Sequence, residues 1–321
     1  MNHLSTLPPS TTRIACAILA CLFSFPNASV AQTSSPHWTF EKGDRYALSL
    51  TQTSKSVTTV DARETTLDNE TVMEMDWHVT AVDDDGNATI DQSLTRVKLT
   101  VAGFTRKKKG DPASPLKDIA FDTAAATNPF TTKDSKTLLQ QVQPLIGLEF
   151  TVTMSRLGEI TDVSIPKTVT EQLEKMPDTQ NLRALFSKTG LKEMLGASAM
   201  VFPDPLKIGD AWSDESVTKT AFGNFNRNRK YTYAKNSNND SIAEFELEVT
   251  LDPVEAASSD SDSLKSKLLD FYGTGTMQMD LAQGHLKSSI IKNSIQSEKP
   301  YREKTIGTKI TNQIETVVTK K

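Results

Sequence analysis

Three consecutive aspartates ahead of a glycine, Asp83-Asp84-Asp85-Gly86-Asn87, are the stretch of this 321-residue chain whose residue types and spacing come nearest to chemistry. A calcium loop of the EF-hand kind needs oxygen ligands at its positions 1, 3, 5 and 12, with glycine at 6. With Gly86 sixth, Asp83 and Asp85 fall on the third and fifth positions, but Ala81 stands first and Gln92 twelfth. The first ligand and the bidentate carboxylate are both missing. Asp-Gly between alternating apolar runs is instead a hairpin-turn signal. The pattern predicts the tip of a hairpin with strands from Met73 to Val82 and from Ala88 to Val101, and no built metal site. Adjacent carboxylates repel one another, so a weak, adventitious cation is the only metal chemistry left open.

Nucleophilic and acid–base chemistry find little else. Both cysteines, Cys16 and Cys21, lie within the first 31 residues, and no Gly-x-Ser-x-Gly elbow occurs. His37, His78 and His285 lie far apart and read as solvated β residues without a triad partner. They have no His-x-x-x-His spacing for zinc. Gly273-Thr274-Gly275 enters a strand rather than opening a helix, which excludes a dinucleotide fingerprint. The expectation is no catalytic residue, no cofactor and no metal. A hydrolase with an unrecognised site would need His78 or His285 to meet an acidic residue.

The N-terminus explains the cysteines. Arg13, the apolar run Ile14 to Phe25, the break at Pro26-Asn27 and the small residues Ser29-Val30-Ala31 read as a signal peptide over 1–31. A lipoprotein anchor at Cys21 is the alternative, opposed by the apolar run continuing to Phe25. Cleavage would reduce the 36 basic residues to 35 against 40 acidic ones, a formal charge near −5. That balance argues against a nucleic-acid partner. A cysteine-free exported chain fits the periplasm, the cell envelope or the extracellular space.

Most of 32–321 reads as strand. Met73, Met75, Trp77, Val79 and Ala81 alternate with Glu74, Asp76, His78 and Thr80, one face apolar and one wet. Phe150, Val152 and Met154 repeat the theme, as do the segments 274–279, 285–295 and 306–318. Two loops, 106–115 and 255–263, separate them; the basic tip Arg106-Lys107-Lys108-Lys109 reads as a solvated turn. The middle is helical: 135–143, then 168–176 with a capping-box spacing from Thr168 to Glu171. Two short amphipathic helices follow over 178–198, joined near Gly190. Their apolar residues Leu182, Leu185, Phe186, Leu191, Met194 and Leu195 are the candidate lining of a cavity. The expected fold is mainly β (α+β): a large curved antiparallel sheet or open half-barrel. It forms one domain over 32–321, with a helical insert at about 134–199 against the concave face.

Three sets of short motifs carry a resemblance. They are Pro144-Leu145-Ile146-Gly147 with Phe150-Thr151-Val152-Thr153 and Gly158-Glu159-Ile160; Phe202-Pro203 with Lys207-Ile208-Gly209-Asp210-Ala211-Trp212; and Gly273-Thr274-Gly275 with Asp280 and Gly284-His285-Leu286. With the opening Phe40-Glu41-Lys42-Gly43-Asp44-Arg45-Tyr46, their order resembles an uncharacterised family of secreted bacterial β-proteins. That family carries a domain of unknown function and is common in planctomycetes and Bacteroidetes. The resemblance implies no activity and transfers no catalytic residue. The Gly-Asp pairs have their own reading, as turns that start a strand and anchor Tyr46 and Trp212 in the core. More distantly, the architecture is similar to periplasmic lipoprotein carriers, an analogy of fold alone.

The function expected from the sequence is an exported, non-enzymatic envelope protein binding an apolar or lipid-like ligand on the concave face. A structural or protein-interaction module of the envelope is the alternative. Oligomeric state and ligand identity are not legible.

Overall fold

The computed structural model describes residues 35–108, 110–128, 132–175, 187–198, 200–220, 223–253, 267–301 and 303–321. Residues 35–321 form one unit, whose described residues build a single sheet of thirteen strands. In chain order these are β1 (Arg45–Val60), β2 (Arg63–Val82), β3 (Ala88–Arg106), β4 (Ser114–Pro115), β5 (Ile119–Asp122), β6 (Glu149–Met154) and β7 (Ile160–Ser164). The second set is β8 (Ala211–Thr220), β9 (Gly223–Ser237), β10 (Ile242–Pro253), β11 (Lys267–Asp280), β12 (His285–Tyr301) and β13 (Lys304–Lys320). The spatial order is β7-β6-β3-β2-β1-β13-β12-β11-β10-β9-β8, every pairing antiparallel, with β4 and β5 added beside β3. The ends of this path, β7 and β8, do not pair, so the sheet is open. The pairing of β1 with β13 joins the first and last of these strands in the middle of the sheet.

Period-two patterning decides the faces. Tyr46 pairs with Trp77, Leu48 with Met75 and with Val318, and all five belong to or pack on the main apolar cluster. We call their face inner. Its helices are α1 (Lys133–Val142), α2 (Lys167–Lys175) and α3 (Lys188–Ser198). Leu138, Leu139 and Val142 of α1, Leu145 of the following 3-10 turn and Val169 of α2 pack on Leu94, Val97 and Leu99 of β3. Leu191 of α3 is fully buried in the main cluster. The expected alternation from Met73 to Val79 holds, but a bulge at Thr80 breaks it, and Ala81 turns to solvent.

Both Gly-Asp pairs build the same turn. Gly43 and Gly209 sit at φ +97° and +92°, where other residues are strained. Their N–H groups donate to Val79 and Tyr233 carbonyls, each at 2.8 Å. Asp44 and Asp210 each accept through Oδ2 from the backbone N–H three residues back, from Glu41 at 3.0 Å and from Lys207 at 2.8 Å. The carbonyls of Asp44 and Asp210 then accept from Val79 and Tyr233. Each turn therefore clips the start of a strand to its neighbour and delivers an aromatic to the inner face. Tyr46 is 1% exposed, and burying a large side chain this fully is worth about 1.5–3 kcal/mol. Trp212 stacks on Tyr231 at 5.1 Å and donates Nε1–H to the Val201 carbonyl.

Two local expectations fail. The helix expected after Gly190 starts before it: Ser187 Oγ accepts the Gly190 N–H at 3.0 Å, so Gly190 lies in the capped first turn of α3, and the helix expected ahead of it falls outside the described residues. Thr168 is not a cap either. Helix α2 begins at Lys167, and the Pro166 carbonyl receives the Val169 and Thr170 N–H groups. The helix thus starts two residues earlier than a cap at Thr168 would set it.

Candidate functional site

The inner face is not uniformly packed. Val101, Leu67, Ile310, Ile295 and Ile306 lie on it by register, yet belong to neither apolar cluster. Leu67 is 38% exposed and the other four are half-buried. Three of these side chains, with Ser56 and Phe271, form one row across the sheet. Leu67 pairs with Ser56, Ser56 with Ile310, Ile310 with Ile295, and Ile295 with Phe271. Phe271 ties the row to the main cluster. This is an apolar strip that the folded chain leaves partly open.

A row of amides borders the strip. Asn69 pairs with Ser54, Ser54 with Asn312, and Asn312 with Asn293, in successive register. The carboxamide oxygens of Asn69, Asn293 and Asn312 are all buried and accept no hydrogen bond. A buried acceptor left unsatisfied costs about 1–3 kcal/mol, so three in one row are a standing penalty.

At the far side the same face turns cationic. Strand β9 alternates Phe225, Arg227, Arg229, Tyr231 on the inner face. Arg229 is 6% exposed, forms an ion pair with Asp214 of β8 and lies 5.9 Å from the Tyr231 ring centre. Arg227, half-buried, donates from Nε and Nη2 to Ser216 Oγ at 3.2 and 3.0 Å. Among the described residues no carboxylate lies within ion-pair reach of Arg227. Burial, then the Arg229 charge, pushes its guanidinium below the ordinary arginine value, with Asp214 opposing. Asp214 thus stands beside two cations, paired with Arg229 and within electrostatic reach of Arg227.

The outer face carries a cavity of about 720 Å³ over the middle of β3, β2, β1, β13, β12 and β11. One row of its lining runs Thr100, Glu70, Thr53, Gln313, Lys292, Thr274, in register. A second runs from Ala102 to Tyr272, which is 57% exposed. Strand alternation turns these side chains away from the apolar strip. The trough is open, wet and mixed in charge.

The residues singled out in the sequence have separate fates. Asp83 Oδ1 accepts from the Asp85 and Asn87 N–H groups at 3.0 and 2.8 Å, and Oδ2 from Asn87 Nδ2 at 2.9 Å. The Asn87 hydrogen bonds hold that carboxyl below its usual range, and the loop is the β2–β3 hairpin turn the sequence indicates. His78 lies on the outer face opposite Arg45 and Asp91. His285 corrects its expectation: it is 4% exposed rather than solvated, with its ring 5.4 Å from that of Tyr46. The segment before β1 covers it, Thr39 N–H donating to the Gly284 carbonyl at 2.7 Å. Burial lowers the His285 pKa, and Nδ1 has no partner. Among the six candidate lining residues, Leu191 is 0% exposed in the core and Leu195 packs against it. Leu182, Leu185 and Phe186, with the Met194 side chain, lie outside the described residues, as does the 255–263 loop.

Sequence reasoning passed over the residues that give the inner face its chemistry. Arg227 and Arg229 stand in the parity of Phe225 and Tyr231, Asn293 and Asn312 in that of Ile291, Ile295, Ile310 and Ile314, and Asn69 in that of Leu67 and Met73. A polar residue in the apolar parity of a strand was the available signal.

The model of a family of unknown function, DUF6263, matches residues 107–286, more than half of the chain. No curated protein matches. Among solved structures, lipovitellin, described for its lipid–protein interactions, aligns at 13% identity and a TM-score of 0.44, over 86% of this chain and 25% of its own. The chain thus spans a quarter of lipovitellin's length. An outer membrane channel from Pseudomonas putida F1 aligns at 9% identity and a TM-score of 0.21, covering 88% of this chain and 97% of its own. DynF from the dynemicin biosynthesis pathway of Micromonospora chersina aligns at 7% identity and a TM-score of 0.18, over 87% and 82%.

Proposed function

This chain belongs to the family of unknown function DUF6263, and we propose that it is a non-enzymatic binding protein that holds an apolar, lipid-like ligand on the inner face of its sheet. The observation that carries this reading is the strip of Leu67, Val101, Ile295, Ile306 and Ile310, which shares a face with the core yet packs in neither apolar cluster. Apolar surface left open beside a packed core gains about 25 cal/mol for each Å² that a ligand covers. The N-terminal stretch Arg13 to Ala31 supports export to the periplasm or cell envelope, where such ligands are plentiful. Binding without transformation fits the inner face, since His285 is enclosed in the core and His78 lies on the outer face.

Native mass spectrometry and organic extraction of the protein purified from its own host test this. An apolar molecule recovered at near-stoichiometric amount, and lost in Ile295→Asp, is the expected result; an empty protein with a solid inner face removes the reading. The outer trough favours a second reading, an interaction module of the envelope. Its sign would be a stable protein partner lost on Tyr272→Ala.

A further inference from the structure

We infer that the ligand is a single-chain amphiphile with an anionic head, a carboxylate or phosphate, seated at Arg227 with its chain along the apolar strip. This rests on the inner face being the binding surface. Arg227 lies on that face, next to Leu251 in register, as Arg229 lies next to Val249 and Val249 next to Gly273. Two residues from Gly273 stands Phe271, the start of the row through Ile295 and Ile310. With strands about 4.8 Å apart, the four steps from β9 to β13 span roughly 19 Å. That is the reach of a long saturated acyl chain.

The charge on this face is what selects the head. A cation half out of water is costly unless an anion meets it. Asp214 is committed to Arg229, and Ser216 offers Arg227 only a neutral acceptor. A guanidinium in this state retains donors suited to a bidentate oxyanion. A neutral apolar ligand would cover the strip and leave that cation without an anion among the described residues. A cationic one would add to the repulsion between Arg227 and Arg229. The burial that pushes Arg227 below its usual value also strengthens whatever anion it meets.

The test compares palmitate, hexadecyl phosphate and hexadecanol, at concentrations below micelle formation, by displacement of a fluorescent probe from the delipidated full chain. Both anions are expected to bind tenfold or more tightly than the alcohol, the range for a hydrogen bond to a charged group. In Arg227→Gln that ratio falls to near one, and in Arg227→Lys part of it returns. In Asp214→Asn, which removes a negative charge from beside Arg227, the ratio rises. Circular dichroism and urea midpoints confirm that each variant is folded before its ratio is compared. Equal affinity for anions and alcohol in the native chain, or a ratio unmoved by Arg227→Gln, overturns the anionic head and leaves the apolar reading standing. Failure of all three ligands to bind overturns the apolar reading as well.

Discussion

Replacing Asn312 with leucine is expected to stabilise the protein, against the usual direction of a substitution on a buried sheet face. Asn312 sits between Ile310 and Ile314 on β13, opposite Ser54 and Asn293, and its Oδ1 is buried without a donor. Removing an unsatisfied buried acceptor recovers about 1–3 kcal/mol. Leucine has nearly the same shape, so the row need not repack, and asparagine is among the residues that strands disfavour, on a scale spanning about 1 kcal/mol. The whole residue is only half-buried, which keeps the gain toward the lower end. A net gain of about 1–2 kcal/mol follows, or a rise of roughly 2–6 °C in melting temperature. Urea titration should show a higher midpoint with an unchanged slope. Asn293→Leu added to it should fall short of additive, because the two are direct cross-strand partners. A loss of about 1 kcal/mol or more for the single variant would refute the reasoning, since it would mean that Oδ1 accepts a bond worth keeping.

Acid should destabilise the protein through His285. Burial depresses its folded pKa below the ordinary 6.5, so its contribution is complete above about pH 6.5 and is lost as pH falls from there through the folded value. Each unit of depression is worth about 1.4 kcal/mol. His285→Gln should flatten the fall in urea midpoint between pH 7 and 5, and an unaltered slope would remove His285 as its cause. Gly158→Ala should weaken the seat of the N-terminal segment. Gly158 has φ +96°, and a Cβ there would stand 2.2 Å from the Met200 carbonyl and 2.8 Å from Trp38 Nε1. The strain and the displaced backbone together should cost about 2 kcal/mol or more; a urea midpoint equal to the parent's would show that this end of the core yields without penalty.

Much of the fold was legible because strands announce themselves with a period of two and because Gly-Asp turns fix where strands start. Tyr46 and Trp212 fell where their turns put them, and the helices at 133–142 and 167–175 lie within two residues of the sequence reading. What failed was local. The bulge at Thr80 depends on how β2 meets β3, and the start of α3 on Ser187 rather than Gly190. His285 looked solvated because nothing in its own strand shows that residues 38–40 fold back over it. The functional face was harder. That Asn69, Asn312 and Asn293 form one row is a property of register across β2, β1, β13 and β12, which joins residues more than 200 positions apart. Arg227 likewise reads as a surface charge until β8 and β10 place it on the inner face.

The central claim, that the inner face beyond the amide row holds an apolar chain, is tested most directly by where a bound chain touches the protein. A palmitate analogue carrying a photoreactive group near its terminal methyl, cross-linked to the full-length protein and mapped by peptide sequencing, reports this residue by residue. Labelling at Ile295, Ile310 and Leu67 is the expected result, with labelling lost in the presence of excess palmitate. Labelling at Ser294, Thr311 or Tyr272, whose side chains line the outer trough, would contradict it.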